Sequence, residues 1–319
     1  MKPYESLSGP AQIARLTGAA HLAWNEYDLG DARIEPHFHG YNTTFRVKAR
    51  NGRRYALRLD AAGRRKPGDL TAEVAWTTAL AEAGLPAPHP VQSRGVWVPF
   101  EGRENGVAAV LFDWLPGKVA GVRPEPWMGA ALGRLTKALH AQAEHYRLPE
   151  GATVGSGVGP SSAMAARMDV YPAYREVVAK ADEVWQRLRR EPLRLIHNDL
   201  HPGNLMAYRG RLSAFDFDDM CLGHPAYDAT VTTYYIRNQD PRLQEGYRRE
   251  LPPESVGLSE ADFETLVAGR QAALAGYLFQ ETNKTFSAIA ERYATVAEAR
   301  LASFLKTGRF DPSVARFRR

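Results

Sequence analysis

Four polar residues in the second half of the chain have the types and spacing needed to move a phosphoryl group. They form the pattern H-x-D-x-x-x-x-N followed later by D, with His197, Asp199, Asn204 and Asp216. Phosphates carry dense negative charge, so transfer from ATP needs Mg²⁺, a hard cation that prefers oxygen ligands. It also needs a separate carboxylate that positions the acceptor hydroxyl and takes its proton. Asp199 suits that base role, and Asn204 and Asp216 suit metal ligation.

Two other interpretations of this stretch stay open. His197 and His201 are four residues apart, a spacing that could hold zinc on a helix. Pro202-Gly203 disfavours a helix there, and no glutamate stands between the histidines as in H-E-x-x-H. A polar surface loop without chemistry is the third interpretation, disfavoured because polar residues interrupt the apolar strand in I-H-N-D-L. His197 itself is expected to be a buried, hydrogen-bonded structural residue.

Length and composition describe the setting of this motif. The 319 residues are enough for two domains, and the apolar content of 44% is ordinary for a globular protein. The single cysteine, Cys221, excludes a disulfide framework and indicates a reducing compartment. The sequence shows no signal-peptide core and no apolar run near the ~18 residues of a membrane span. We therefore expect a cytoplasmic protein without a membrane partner.

Charge gives little reason to expect a nucleic-acid partner. The net charge is +5, spread along the chain, and the short basic clusters are typical of solvated tails.

The first part of the chain has the periodicity of a small sheet. Strand-like alternation occurs in three segments, residues 34–59, 95–100 and 107–115. The first segment is predicted to hold two strands joined by a turn at Asn51-Gly52. Helices are predicted at 8–18 and from about 69 to 83. The order strand-strand-helix-strand-strand predicts an antiparallel sheet with one helix against it.

The remainder is predicted to be mainly helical, after a linker at Leu115-Pro116-Gly117. One short strand, Leu212 to Phe217, is expected to end at the acidic cluster. A turn at Arg209-Gly210 would pair this strand with M-A-Y and bring Asp216 beside Asn204. We predict an α+β fold with two lobes, residues 1–115 and 116–319.

The motif I-H-N-D-L-H-P-G-N-L followed by F-D-F-D-D resembles the aminoglycoside phosphotransferase family. That family includes choline kinases, type II homoserine kinases and bacterial stress-response kinases, and shares the protein-kinase fold. The resemblance covers nearly the whole chain, because further motifs follow in order. It implies a two-lobed fold with ATP near residue 115, a nucleotide-binding N-terminal lobe and a catalytic, acceptor-binding C-terminal lobe.

The resemblance also implies roles for individual residues. Those expected to bind the nucleotide are Gly40, Asn42, Thr43, Thr44, Arg58, Glu73, Phe112, Asp113 and Leu115. Arg58 in A-L-R-L would contact the α- and β-phosphates, and Glu73 in T-A-E-V-A-W would pair with it. The hinge L-F-D-W-L-P-G would read adenine with its backbone.

In the C-terminal lobe the resemblance implies three further roles. Asp199 would be the catalytic base, and Asn204 and Asp216 would hold Mg²⁺. Asp228, in G-H-P-A-Y-D, would buttress the catalytic loop.

Four positions depart from the family pattern. The phosphate loop has one glycine, Gly40, so nucleotide cover would rest on neighbouring side chains and backbone amides. Arg58 replaces the usual protein-kinase lysine, but it keeps the charge and offers a fork suited to phosphate. Asn198 replaces glycine or arginine before the base, and Asp218 replaces the glycine of D-F-G.

We predict an ATP- and Mg²⁺-dependent kinase that phosphorylates a hydroxyl group of a small molecule. Helices at about 161–190 and after 226 would form the acceptor pocket. Acidic side chains that could contribute to it are Asp218, Asp219, Asp228 and Glu281. The alternatives are a stress-response-type protein Ser/Thr kinase, with a protein substrate, and a nucleotide-binding pseudokinase.

Overall fold

The computed structural model describes residues 3–60, 62–63, 65–156, 170–237, 239–280 and 287–317. The chain divides into two compact units, which we call the first and second unit. The first comprises Met1–Pro116, Arg147–Val154 and Ser213–Asp218, and the second Gly117–Tyr146, Gly155–Leu212 and Asp219–Arg319. The predicted α+β fold class is confirmed. The lobe boundary at residue 115 stays a prediction.

The first unit is built on a five-stranded antiparallel sheet with the order β1-β2-β3-β5-β4. Its strands are β1 Ala32–His39, β2 Thr43–Ala49, β3 Arg54–Leu59, β4 Pro90–Phe100 and β5 Arg103–Asp113. The prediction of two strands in 34–59 was wrong, because the chain there turns twice. The additional turn lies at Gly40, whose amide donates to the carbonyl of Asn42 at 2.9 Å.

Two helices cover the two faces of this sheet, so the prediction that only one helix packs against it was also wrong. Helix α1, Gly9–Glu26, extends eight residues beyond its predicted end at 18 and packs with Leu57 and Leu59 of β3. Helix α2, Pro67–Glu82, packs on the other face, where it contacts Ala56. Side chains alternate along a strand, so Arg58 also points to the α2 face.

The second unit is mainly helical. Its helices are α3 Trp127–His145, α4 Pro172–Leu188, α5 Ala226–Ile236, α6 Pro241–Glu250, α7 Glu260–Gln280 and α8 Ala290–Thr307. Helix α7 packs against α4, α5 and α8, and α3 packs against α6. Over the described ranges, none of the helices combines the length and apolarity needed to cross a membrane.

Short strands carry the polar motif. They are β6 Lys118–Val119, β7 Gly155–Ser156, β8 Arg194–Ile196, β9 Leu205–Tyr208, β10 Arg211–Ala214 and β11 Cys221–Gly223. Strands β9 and β10 are neighbours in one sheet, as the predicted hairpin requires. The strand predicted to reach Phe217 ends at Ala214, because Asp216 adopts a left-handed backbone with φ of 66°.

Candidate active site

The loop that follows β8 is held by a buried carboxylate. Asp228, in the first turn of α5, is fully buried and accepts the amides of His197 at 3.1 Å and Asn198 at 2.7 Å. It also contacts Nε2 of His140 at 2.9 Å. Further along the loop, Thr232 of α5 donates to the carbonyl of Leu200 at 2.6 Å. Helix α5 therefore fixes the backbone on both sides of Asp199.

The backbone conformation explains why an asparagine stands at position 198. Its φ of 70° lies in the left-handed region, which asparagine tolerates better than most residues other than glycine. Its side-chain amide donates to the carbonyl of Asp219 at 2.9 Å. This conformation turns the chain immediately before Asp199.

Asp199 and Asn204 lie together within the second unit. The Asn204 Nδ2 group donates to the Asp199 carbonyl at 3.0 Å and to its Oδ2 at 3.2 Å. Pro202–Asn204 form one turn of 3₁₀ helix, where the sequence had predicted no helix. A side chain at Gly203 would clash, since a Cβ there would lie 2.5 Å from the His201 ring. Glycine thus lets the turn close against this histidine.

His201 contributes a second contact to the same carboxylate. Its Nδ1 accepts the Gly203 amide at 3.0 Å, so Nε2 carries the proton, and Nε2 lies 3.3 Å from Asp199 Oδ2. The ring stacks on Tyr235 with centroids 4.3 Å apart. Both nitrogens of His201 are thus engaged within the loop and its carboxylate.

Arg270, in the middle of α7, was missed by the sequence analysis. Its Nη2 donates to Asp199 Oδ1 at 2.7 Å and to the Tyr235 hydroxyl at 3.3 Å. Burial acts to raise the pKa of Asp199, but the hydrogen bond from His201 and the charge of Arg270 lower it to about 2. Nothing in the local sequence of α7 marks Arg270, because its partner lies 71 residues earlier.

A second cluster of charges lies in the first unit. Arg58, 9% exposed, donates from Nη2 to Glu73 Oε2 at 2.5 Å and from Nη1 to Asp216 Oδ1 at 3.2 Å. Glu73 is fully buried on α2. The structure therefore places the three predicted residues Arg58, Glu73 and Asp216 in one network.

Arg65 is the other residue that the sequence analysis missed. It forms a second ion pair with Glu73, and its Nη1 donates to the backbone carbonyl of Asp218 at 2.6 Å. Asn42 donates to the Asp218 carboxylate at 2.7 Å. The sequence holds one usable signal for this contact, a second arginine eight residues before Glu73.

Asp216 is the least stabilised carboxylate of this cluster. Burial raises its pKa well above the usual value, and the negative charge of Asp218 adds to the effect. Phe217, between these two acids, packs edge-on against Trp76 of α2 with centroids 5.4 Å apart. The aromatic contact holds the acidic turn on α2 despite the charge repulsion.

The remaining predicted nucleotide-binding residues divide into two groups. Gly40 lies in the turn between β1 and β2, and Thr44 stands opposite Arg58 in the sheet register. Thr43, in contrast, is fully buried, with Oγ1 2.7 Å from Nδ1 of His39. The Thr43 side chain is therefore occupied in packing the sheet.

The hinge residues have different surroundings. The Phe112 ring lies 5.6 Å from the Arg58 guanidinium, and the Asp113 carboxylate pairs with Arg53 at 3.2 Å. The amide of Asp113 donates to the His89 carbonyl at 3.0 Å. Leu115 follows β5 and is half-buried. Its amide makes no backbone hydrogen bond in the part of the chain that the structure describes.

The donor set fits a hard divalent cation. Asn204 uses its NH₂ group on Asp199, so its amide oxygen is available as a ligand, and Asp216 offers a carboxylate whose charge is poorly balanced. Glu73 adds a buried oxygen, Oε1, that has no hydrogen-bond partner among the described residues. The convergence of Asn204 with Asp216 stays a prediction, since one lies in the second unit and the other in the first.

Known proteins resemble this chain in sequence and in fold. The amicoumacin kinase of Bacillus subtilis (strain 168) is 26% identical over 193 residues, which is 57% of this chain. The match also spans only 57% of that relative's own length.

Two solved structures share the fold. A microcompartment-associated aminopropanol kinase has a TM-score of 0.69 and 21% identity, covering 93% of this chain and 99% of its own. An amicoumacin kinase in complex with AMP-PNP, Ca²⁺ and Ami has a TM-score of 0.66 and 19% identity, covering 93% and 98%. The two-lobed, kinase-like fold predicted from the sequence is thereby confirmed.

One family matches a segment that contains the whole polar motif and the Arg58 cluster but ends before Arg270. It matches residues 34–256, from β1 to the segment after α6, and its description is "Phosphotransferase enzyme family". On this match over more than half of its length, the chain belongs to the phosphotransferase enzyme family.

Proposed function

We propose that this protein is an ATP- and Mg²⁺-dependent phosphotransferase that phosphorylates a hydroxyl group of a small molecule. One observation carries the proposal: Asp199 is held ionised, with Arg270, His201 and Asn204 as its partners, on a loop anchored by Asp228. A fixed, ionised carboxylate is what an acceptor hydroxyl needs for its orientation.

Asp199 would accept a hydrogen bond from the acceptor hydroxyl. The acceptor oxygen then forms its bond to the γ-phosphorus, the bond from that phosphorus to the β-phosphate oxygen breaks, and Asp199 takes the hydroxyl proton. With a pKa of about 2, Asp199 is a weak base. A weak base suffices when the transition state is loose, because the hydroxyl becomes acidic only as its bond to phosphorus forms.

Other residues of this chain would hold the nucleotide and the metal. Asn204 and Asp216 would be the oxygen ligands of Mg²⁺, which when bound neutralises charge on the phosphoryl group. Arg58, kept in place by Glu73, would donate to phosphate oxygens. The Leu115 amide is our candidate for the backbone contact to adenine, with Thr44 and Asn42 nearer the phosphates.

A small-molecule acceptor is supported by the relatives. The names of those described above specify amicoumacin kinases and an aminopropanol kinase. They give no support to the alternative of a protein Ser/Thr kinase. The pseudokinase alternative is disfavoured because Arg58 pairs with Glu73 and Asp199 with Asn204, as the proposed chemistry requires.

The test has two steps. Thermal melting is measured with ATP, with Mg²⁺ and with both, and we expect the combination to raise the midpoint more than either component alone. Transfer from γ-labelled ATP is then screened against a metabolite pool and a protein pool, with Asp199→Asn as the negative control. Label in a small molecule that depends on Asp199 supports the proposal. Label only in protein, or no combined stabilisation, contradicts it.

A further inference from the structure

Arg270 contacts the carboxylate of Asp199, which would bind the acceptor hydroxyl. We propose that this arginine determines the acceptor class, favouring an alcohol that carries a carboxylate, a hydroxy acid, over an amino alcohol. This inference rests on the proposed function, and it concerns which alcohol is used. The first observation that supports it is the direct contact of 2.7 Å between Arg270 Nη2 and Asp199 Oδ1.

The contact places a permanent cation at the reacting position. An acceptor hydroxyl bound to Asp199 has the guanidinium as its close neighbour, because the two groups share a carboxylate. An ammonium group a few bonds from that hydroxyl would meet this positive charge, whereas a carboxylate would be attracted to it. Arginine stays charged at any physiological pH, so this discrimination is permanent.

The surroundings add no compensating negative charge. The other partners of Arg270 are the neutral hydroxyls of Tyr227 and Tyr235, both at 3.3 Å. Across the described residues, Asp199 is the one carboxylate that pairs with Arg270. Arg270 and Asp199 together carry no net charge, so the pair offers no net negative charge to an ammonium group, while the guanidinium keeps N–H donors for an anion.

The acidic patch expected for a cationic acceptor is largely committed to other contacts. Asp228 is fully buried and holds the loop backbone, and Asp218 accepts the side chain of Asn42 in the first unit. Asp219 is exposed, and its carbonyl accepts from Asn198. Glu281 lies outside the described residues.

The hydrogen-bonding capacity of Arg270 is not exhausted. A guanidinium has five N–H donors, and three bonds go to Asp199, Tyr227 and Tyr235. Its Nε is buried and has no partner within the described part of the chain. Buried donors of this kind are nearly always satisfied, and a carboxylate is the acceptor that a guanidinium pairs with best. The guanidinium therefore retains donors for an anionic oxygen supplied by the acceptor.

The experiment uses three probes with one carbon skeleton: 4-hydroxybutyrate, butane-1,4-diol and 4-aminobutan-1-ol. For each, kcat/KM of phosphate transfer from ATP and Mg²⁺ is measured with the full chain. We expect the anion to exceed the cation by ~10-fold or more, with the neutral diol between them. A wild-type preference for the amino alcohol, or equal use of all three, overturns the inference.

Two substitutions separate specificity from stability. Arg270→Met removes the charge at similar length and should lower the ratio of kcat/KM for 4-hydroxybutyrate to that for 4-aminobutan-1-ol by ~10-fold or more. Arg270→Lys should keep the preference for 4-hydroxybutyrate. Arg300→Met is the matched control, because Arg300 bonds Gln271, the residue next to Arg270, at 2.8 Å. It should leave the ratio unchanged. An unchanged ratio in Arg270→Met overturns the inference, because a purely structural role would alter all three rates alike.

Binding distinguishes a failure of this inference from a failure of the proposed function. Binding of each probe to wild type and Arg270→Met is compared by ligand-observed NMR, which needs no phosphate transfer. Preferential binding of 4-hydroxybutyrate that depends on Arg270 supports the inference even without turnover. Absence of transfer to any small molecule in the metabolite-pool screen contradicts the proposed function, and equal binding of the three probes contradicts the acceptor class.

Discussion

The acidic turns at Asp199 and Asp216 are similar in backbone conformation and different in electrostatics. Each is formed around a left-handed residue, Asn198 with φ of 70° and Asp216 itself with φ of 66°. Each carboxylate also contacts an arginine, Arg270 for Asp199 and Arg58 for Asp216. Yet the pKa of Asp199 is lowered to about 2, and that of Asp216 is raised.

The number of carboxylates that share each arginine explains the difference. Arg270 pairs with Asp199 alone in the described ranges, and His201 adds a hydrogen bond. In the first unit, by contrast, the three carboxylates of Glu73, Asp216 and Asp218 share two guanidiniums, those of Arg58 and Arg65. A balanced carboxylate suits binding of a neutral hydroxyl, and an excess of carboxylates suits binding of a metal cation.

The largest expected effect comes from removing the balanced charge. Asp199→Asn keeps the shape of the side chain but cannot take a proton, so kcat should fall by roughly 10³-fold. Affinity for ATP with Mg²⁺ should change little, since Asn204 and Asp216 remain. Initial rates with labelled ATP and calorimetric titration measure the two quantities. Glu176→Gln, an exposed acid on α4, is the control. Full turnover in Asp199→Asn would remove the base assignment.

The Glu73→Gln variant tests the charge cluster of the first unit through its effect on the free energy of unfolding. The substitution leaves two largely buried guanidiniums without their shared counter-charge, which should lower the free energy of unfolding by about 3–5 kcal/mol. Urea denaturation measures it. Glu35→Gln removes an exposed partner of Arg46 in the same sheet and should leave the denaturation midpoint nearly unchanged. Equal effects of the two variants would show that Glu73 is no electrostatic anchor.

The Asp228→Asn variant tests how far the position of Asp199 depends on the anchoring of the loop that carries it. Loss of the buried charge weakens the bonds from the His197 and Asn198 amides, which should lower stability by about 2 kcal/mol and kcat by roughly 10-fold or more. Hydrogen exchange at these two amides should accelerate. Asp31→Asn, a change at an exposed acid, is the control. Unchanged protection of both amides would contradict the anchoring role.

The smallest effect is expected at the edge of the charge cluster in the first unit. Asn42→Ala removes the bond to Asp218 and should raise the KM for ATP a few-fold, with a loss of about 1 kcal/mol in stability. Asn25→Ala, at an exposed position near the end of α1, is the control. A KM equal to that of the control would place Asn42 outside the nucleotide site.

Contacts between residues close in sequence were the ones that the sequence predicted well. Asn204 and Asp199 are five residues apart, and a single turn with Pro202 and Gly203 brings them together. The pair of Arg58 and Glu73 was expected from the family resemblance. The errors, the third strand and the length of α1, concern where elements begin and end. Packing against the rest of the sheet decides such boundaries, and local pattern does not.

What the sequence determined by itself is the set of polar residues and the turns that bring close neighbours together, because spacing, proline and glycine restrict the local backbone. What only the tertiary structure decided is the charge state of those residues. Arg270 reaches Asp199 across 71 positions, and Arg65 joins Glu73 through the folding of a loop onto α2. A pKa depends on every charge within a few ångströms and on burial, and both are set by the packing of distant segments.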